Sequence, residues 1–524
     1  MIVLGIGGLR GGAACAVLCD GELRASIEES KLARETRPGL PENAIATCLG
    51  LASARAEEVD GVAIVRPLPA GREDRLHLEL RTRFPNARIT LVEHHTAHAA
   101  SAYYPSPFDE ATVLVLDRFG DFRCATRWLA AGTDLALDHE AYYPDSLGDL
   151  YGRVAELLGF RAGADEHKVQ WMSVLGDDRF VDLFLELMPP ANGAWPRLDR
   201  SFFDADRLTH GGFSARFYER LGLTEGAPIP EGLRAPLAAG IQRAAEEVVL
   251  RMAERGRNLC LAGGLGLNAL LVSRLERDAE FERVFVQPAA GNAGTAVGAA
   301  LHAWHAIYRE RRRVALGNLC LGPSYTAEEI KRVLENCKLR FRYLLTGDDM
   351  IETAVGQLGD NRIVAWMQGR MEFGPRALGN RSILASPLDP YATENLNEFI
   401  KHREPFRKFA ASVPAELCSN YFEVGSNARF LCTVGRVRPE HRTTFAAALL
   451  AGDLVRVHSV SEDDNPLYWR LLHAAGRRTG LPVLYNTSFN LFGEPLVCTP
   501  RDAVRSFYSS GIDAMFVGHF FLQK

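Results

Sequence analysis

Up to about residue 310, apolar positions fall in strand-length runs that alternate with helical-period stretches. MIVLGI reads as a strand. ACAVLCDGELRASIE follows, with a turn at Asp20-Gly21 and a second strand after it. EESKLAR opens a helical stretch that ends near Pro38, and GVAIVRP and RITLVEH are short apolar strands of the kind buried in a sheet. THAASAYYPSP predicts a helix stopped by Pro105 and Pro107, and ATVLVLD predicts a strand ending on an acid. Helical periodicity returns in LGDLYGRVAELLGF and GIQRAAEEVVLRMAERG. Two strand–glycine turn–helix units follow, NLCLAGGLGLNALLVSRL and RVFVQPAAGNAGTAVGAALHAWHAIYRERRR. The second is read as one long helix whose last turn carries four arginines, complementing the helix dipole. Glycine turns between strand and helix are where backbone amides meet phosphates or nucleotides.

VALGNLCLGPSY, with Gly-Pro punctuation after a charged helix end, marks a domain boundary near 315/316. Beyond it, EEIKRVLENC begins a helix, and FRYLL, RIVAWMQG and RSILASP begin a further α/β unit that runs to the last residue. A chain of 524 residues exceeds one ordinary core, so two domains are expected, 1–315 and 316–524. The formal charge of −5 argues against bulk nucleic-acid binding, while leaving room for a local basic groove. The N-terminus lacks a basic region and a cleavage site, and no apolar run reaches membrane-spanning length. A cytoplasmic protein without a membrane partner is expected. Ten scattered cysteines without a CxxC pair suit free thiols.

Two segments carry chemistry. EHHTAHAA places His94 and His98 at i and i+4, one above the other on a helix face, where two imidazoles can meet one ion. Asp117 ends the strand ATVLVLD. Two imidazoles and a carboxylate suit a borderline divalent ion such as iron, manganese or zinc. The competing account is a solvent-facing helix with three histidines; His95 points away from the other two. In the second half, RMEFGPRALGNRSILASP sets Arg370, Arg376 and Arg381 around Gly374, Pro375 and Gly379. Forked donors and open backbone amides there would fit a phosphate or carbamoyl phosphate. Lys401, Arg403, Arg407 and Lys408 follow, with Phe406 and Phe409 between them, then Arg456 on a probable strand and Asn486, Ser488 and Asn490 around a turn.

HHTAHAASAYYPSPFDEATVLVLD resembles the metal-binding region of the O-carbamoyltransferases that modify antibiotics and nodulation factors. The likeness continues through YPDSLGDLYGRVAELLGF, GADEHKVQWMSVLGD, LAGGLGLNALLVSRL and QPAAGNAGTAVGAAL, and GPRALGNRS and NTSFN extend it into the second half. It implies an α/β protein. A Kae1-like domain of the actin/Hsp70/sugar-kinase (ASKHA) fold, 1–315, would transfer the carbamoyl group. A YrdC-like α/β domain, 316–524, would form carbamoyl adenylate.

The resemblance implies that His94, His98 and Asp117 hold an iron-type ion, with a fourth ligand at Asn292, where the family usually has an acid. It assigns nucleotide contact to Gly263, Gly264, Gly266, Asn268 and Lys168; a tight packing turn and an exposed helix lysine are the competing accounts for the first two and the last. Carbamoyl phosphate and ATP would meet Arg376, Lys401, Arg407, Arg456 and Ser488, with Asn486 and Asn490 nearby. The groups expected at the reacting atoms are His94, His98, Asp117, Arg376 and Lys401. The chain departs from the family at Asn292, at Arg118-Phe119 after the aspartate, at GGLRGGAA where a His-Asp pair is usual, and at Lys408 and Ala411.

The implied activity is ATP-dependent carbamoylation of a hydroxyl on a small-molecule natural product, as in antibiotic tailoring. The implied cofactors are ATP with magnesium, carbamoyl phosphate as co-substrate, and a divalent metal, Fe(II) before manganese or zinc. A homodimer is one expected assembly. The alternatives are a tRNA threonylcarbamoyl-type enzyme, disfavoured by the acidic charge, and a non-catalytic relative.

Overall fold

The computed structural model describes residues 1–36, 38–66, 73–191, 195–206 and 210–524. Pro67, at the end of one expected strand, lies outside them. The chain forms two compact units: residues 1–107 with 292–524, and residues 108–291. The expected boundary at 315/316 falls inside the first unit.

The first unit begins with a five-stranded sheet, in spatial order Glu22–Glu28, Ala14–Cys19, Ile2–Gly7, Gly61–Val65, Arg88–Val92. The first three strands pair antiparallel through a turn in which Asp20 and Gly21 both take positive φ. The last two add in parallel, and such parallel additions need crossover connections. The second unit repeats this plan. Its sheet runs Asp134–Tyr142, Arg123–Ala131, Glu110–Gly120, Arg255–Ala262, Glu280–Val286, antiparallel over the first three and parallel over the last two. One strand order used twice is the duplicated sheet of the ASKHA fold, as the resemblance implies.

The remainder of the first unit is built on a ten-stranded mixed sheet. Both faces of its central strands are covered, which explains why RIVAWM is apolar without alternation. Val364 and Trp366 pack with the helices Gly347–Gly359 and Pro466–Thr479, while Ala365 and Met367 face a second core with Phe409, Val457 and Phe507.

One helix differs from its sequence reading. The helix after the second glycine turn spans Gly294–His302 and continues only as a π-helical turn, Ala303–Ile307. Arg309 takes positive φ and ends it, so the arginine run caps no helix. Arg313 instead donates to the carbonyl oxygens of Tyr103 and Tyr104 and lies over the Tyr103 ring, and Arg312 pairs with Glu22. No helix among the described residues is long and apolar enough to cross a membrane.

Candidate functional site

His94 and His98 lie on the helix His94–Tyr103, where Ala97, Ala99, Ala100, Ser101 and Ala102 are all buried. These small side chains let the helix Gly294–His302 come close. A Cβ on Gly298 would sit 1.7 Å from the Ala97 carbonyl oxygen, so only glycine fits there. His98 is fully buried, and its Nε2 lies 3.1 Å from Nε2 of the half-buried His94. Two bonds of about 2.1 Å to a shared ion span such a separation, so the imidazole pair fits a divalent metal. His95 is buried as well, with its ring centroid 5.7 Å from that of His94.

In the same unit, the second glycine turn carries Asn292, whose Nδ2 donates to the Gly11 carbonyl oxygen at 3.1 Å. Two departures from the family pattern, Asn292 and the GGLRGG segment, are therefore hydrogen-bonded to each other.

In the second unit, Asp117 sits where the ladder between Glu110–Gly120 and Arg123–Ala131 loses register. The strand runs three residues past Asp117 rather than ending on it. Gly264 donates its N–H to Asp117 Oδ1 at 3.1 Å, which ties the carboxylate to the glycine turn. Gly263 has φ +88°, and a Cβ on it would lie 2.2 Å from the Leu116 carbonyl oxygen, so this turn packs directly on the Asp117 strand. Gly266 leaves room for Ala290.

Asn268 is engaged within the unit. Its Oδ1 caps the helix Ala269–Asp278 by accepting from Leu271 N–H, and its amide pairs with Gln242, which also accepts from the Tyr151 hydroxyl. Lys168 lies 3.7 Å from Asp165 and over the Phe160 ring. Arg118 and Arg153 share the buried Asp149, through Oδ1 at 2.9 Å and Oδ2 at 2.8 Å.

The GPRALGNRS loop corrects its sequence reading. Arg381 is fully buried and donates to the carbonyl oxygens of Gln368 and Asn380, and Arg370 donates to those of Arg24, Gly322 and Leu321. Neither is available to an anion. Several loop amides are occupied too. Glu372 Oε1, fully buried, accepts from Leu378 (2.8 Å), Asn380 (2.7 Å) and Arg381 (3.1 Å) N–H, and Glu28 Oε1 accepts from Gly374 N–H at 2.9 Å. Carboxylates of the chain itself fill the amide nest that the sequence offered to a phosphate.

Arg376 lies among other cations. Burial and the guanidinium groups of Arg376, Arg403 and Arg407 hold Arg456 well below the ordinary arginine value. Burial, Arg403 and Arg407 do the same to Lys401. Lys401 Nζ donates to the Ser488 carbonyl oxygen, the Asn490 carbonyl oxygen (2.9 Å) and Asn490 Oδ1 (2.7 Å), with no carboxylate among these partners. Ser488 Oγ donates to the same Asn490 Oδ1, and Asn486 Nδ2 to the Ala377 carbonyl oxygen beside Arg376. Arg403, left out of the expected binding set, lies over the Phe409 ring and donates to Asn397. Glu404 lies 3.7 Å from Arg407. Like charges held this close disfavour one another's charged forms.

The Carbamoyltransferase N-terminus family matches residues 74–301, and the Carbamoyltransferase C-terminus family matches residues 355–524. The chain is 33% identical to the uncharacterized protein sll1178 of Synechocystis, over 100% of this chain and 96% of that one. It is 31% identical to the nodulation protein NolNO of Sinorhizobium fredii, over 98% and 78%. The chain belongs to the carbamoyltransferase family. The 3'-hydroxymethylcephem-O-carbamoyltransferase of Amycolatopsis lactamdurans is 32% identical over 53% of this chain and 51% of that one.

As a carbamoyltransferase the protein is an enzyme. Glu28, Lys31 and Glu372 shape the GPRALGNRS loop but escaped the sequence reading. The first two lie more than 300 positions from the loop they touch, and no local pattern marks them.

Proposed function

We propose that this carbamoyltransferase uses ATP to convert carbamoyl phosphate to carbamoyl-AMP and passes the carbamoyl group to a hydroxyl of a small-molecule natural product. The observation that carries the activation step is the gathering of Arg376, Lys401, Arg403, Arg407 and Arg456 close enough to depress one another's pKa values. Carbamoyl phosphate and ATP are both anionic, and their mutual repulsion is the first obstacle to reaction. Fixed guanidinium groups offset it and stabilise the charge that develops as phosphate and pyrophosphate leave. In balance, carbamoyl phosphate loses its phosphoryl group to water, and the carbamate oxygen displaces pyrophosphate from the α-phosphorus of ATP. The acceptor oxygen then attacks the carbonyl carbon, gives up its proton, and AMP departs.

Arg376, Arg407 and Arg456 are assigned to the phosphate oxygens. Lys401, held by Ser488 and Asn490, is assigned to the charge at the carbamoyl end. Gly263, Gly264 and Gly266 are assigned to nucleotide contact through their turn, which Asn268 supports through its cap and Gln242. Lys168 is assigned to the adenylate phosphate. His94 and His98, with Asp117 as the carboxylate ligand the resemblance assigns and Asn292 as a neutral amide, would hold a divalent ion. A bound Fe(II), manganese or zinc ion would polarise the carbonyl or orient the adenylate phosphate. The hydroxylated acceptor is favoured by the likeness to the cephem O-carbamoyltransferase.

The test separates the two steps. With ATP and carbamoyl phosphate, Arg376→Ala is expected to abolish adenylate formation, read as pyrophosphate release. His98→Ala is expected to spare that step and block transfer, read as a carbamoyl mass adduct on an acceptor. Equal loss of both steps in both variants would sink the two-site assignment.

A further inference from the structure

The loop that carries Arg376 is fastened by residues from the opposite end of the chain. Lys31 and Glu28 form a buried ion pair at 2.8 Å where the strand Glu22–Glu28 passes into the helix Glu29–Ala33. Lys31 Nζ donates to the carbonyl oxygens of Glu372 (2.9 Å) and Gly374 (2.7 Å), and Glu28 accepts from Gly374 N–H. Three hydrogen bonds thus run from one ion pair to the main chain of residues 372–374. Glu372 closes the loop from within through the amides of residues 378, 380 and 381. On the apolar side, Met371 and Ala377 belong to the core of the first sheet, among Ile6, Leu9 and Ile27. Gly374 takes positive φ, so the backbone reverses between these anchors and delivers Arg376 two residues later.

A buried ion pair rarely adds net stability, because desolvation offsets the Coulomb gain. What this pair supplies, and an apolar pair could not, is hydrogen bonds to a loop that has no regular secondary structure. We infer that Glu28 and Lys31 are positioning residues of the anion site: they fix the conformation of residues 371–376 from which Arg376 reaches the phosphate. The inference rests on the proposed role of Arg376. It means that anion binding in the activating half depends on an N-terminal segment that never touches the anion.

The test uses the full chain, inorganic phosphate as the probe and calorimetry as the readout, on wild type, Arg376→Ala and the double variant Glu28→Gln/Lys31→Met. Removing both charges together avoids a lone buried charge, so the double variant is expected to keep the wild-type Tm within a few degrees. Its phosphate affinity is expected to fall on the order of tenfold, as misplacement of a binding group does. In pyrophosphate release, KM for carbamoyl phosphate is expected to rise by a similar factor while kcat holds. A double variant that binds phosphate like wild type, when Arg376→Ala has lost binding, overturns the inference and leaves the site assignment standing. Wild type and Arg376→Ala binding phosphate equally overturns both, since no Arg376-dependent site then exists to be positioned.

Discussion

The side-chain amide of Asn292 donates to the carbonyl oxygen of Gly11 at 3.1 Å, joining the last glycine turn to the N-terminal glycine loop. An aspartate at 292 could not make this bond, because both its oxygens would face a carbonyl lone pair. The asparagine therefore serves the turn at the expense of a negative charge there.

Asn292→Asp should exchange one property for the other. Metal affinity, measured by calorimetric titration with manganese or zinc, is expected to tighten about tenfold, because ligand charge sets affinity. Metal-free stability is expected to drop by about 1 kcal/mol for the lost hydrogen bond. Unchanged metal affinity would show that residue 292 lies outside the coordination shell.

Gly298→Ala tests the helix contact behind the histidines. The added methyl would meet the Ala97 carbonyl oxygen, which only a separation of the two helices relieves. A loss of about 1–3 kcal/mol by thermal unfolding is expected. Metal binding should weaken, while pyrophosphate release with ATP and carbamoyl phosphate persists.

Lys401 predicts an alkaline limit on anion binding. Burial and two arginines depress its pKa well below the usual 10.5, and a bound anion favours the charged form. Affinity should therefore be full below the depressed pKa and fall as pH rises through it. Sulfate, whose charge is constant in this range, is the suitable probe. Lys401→Met should bind sulfate more weakly and lose that pH dependence.

His458 predicts acid sensitivity. It is buried against Ser412, its ring stacks with Tyr468, and burial lowers its pKa to about 4 from 6.5. Between those values the unfolded chain takes up a proton that the folded chain refuses. Stability is thus unaffected above about pH 6.5 and is lost as pH falls towards 4, by about 3 kcal/mol in all. Other acids titrate in the same window, so the comparison is with His458→Gln, whose unfolding free energy should fall less between pH 7 and pH 4.5.

The sequence by itself determined what depends on neighbours along the chain. The turn at Asp20-Gly21, the helix bearing His94 and His98, the strand with Asp117 and both glycine turns follow from local periodicity and turn chemistry. The residue types of the basic half were legible in the same way. Tertiary structure decided which of them are taken up by the main chain. Arg370, Arg376 and Arg381 look equivalent in sequence, yet carbonyl oxygens from distant segments claim the first and third and leave Arg376 with the other cations. The amides of GPRALGNRS looked open because Glu28 lies 346 positions away from Gly374. A backbone donor shows no preference in sequence for the acceptor that folding brings to it, and so the partners of this loop emerged only when the chain closed on itself.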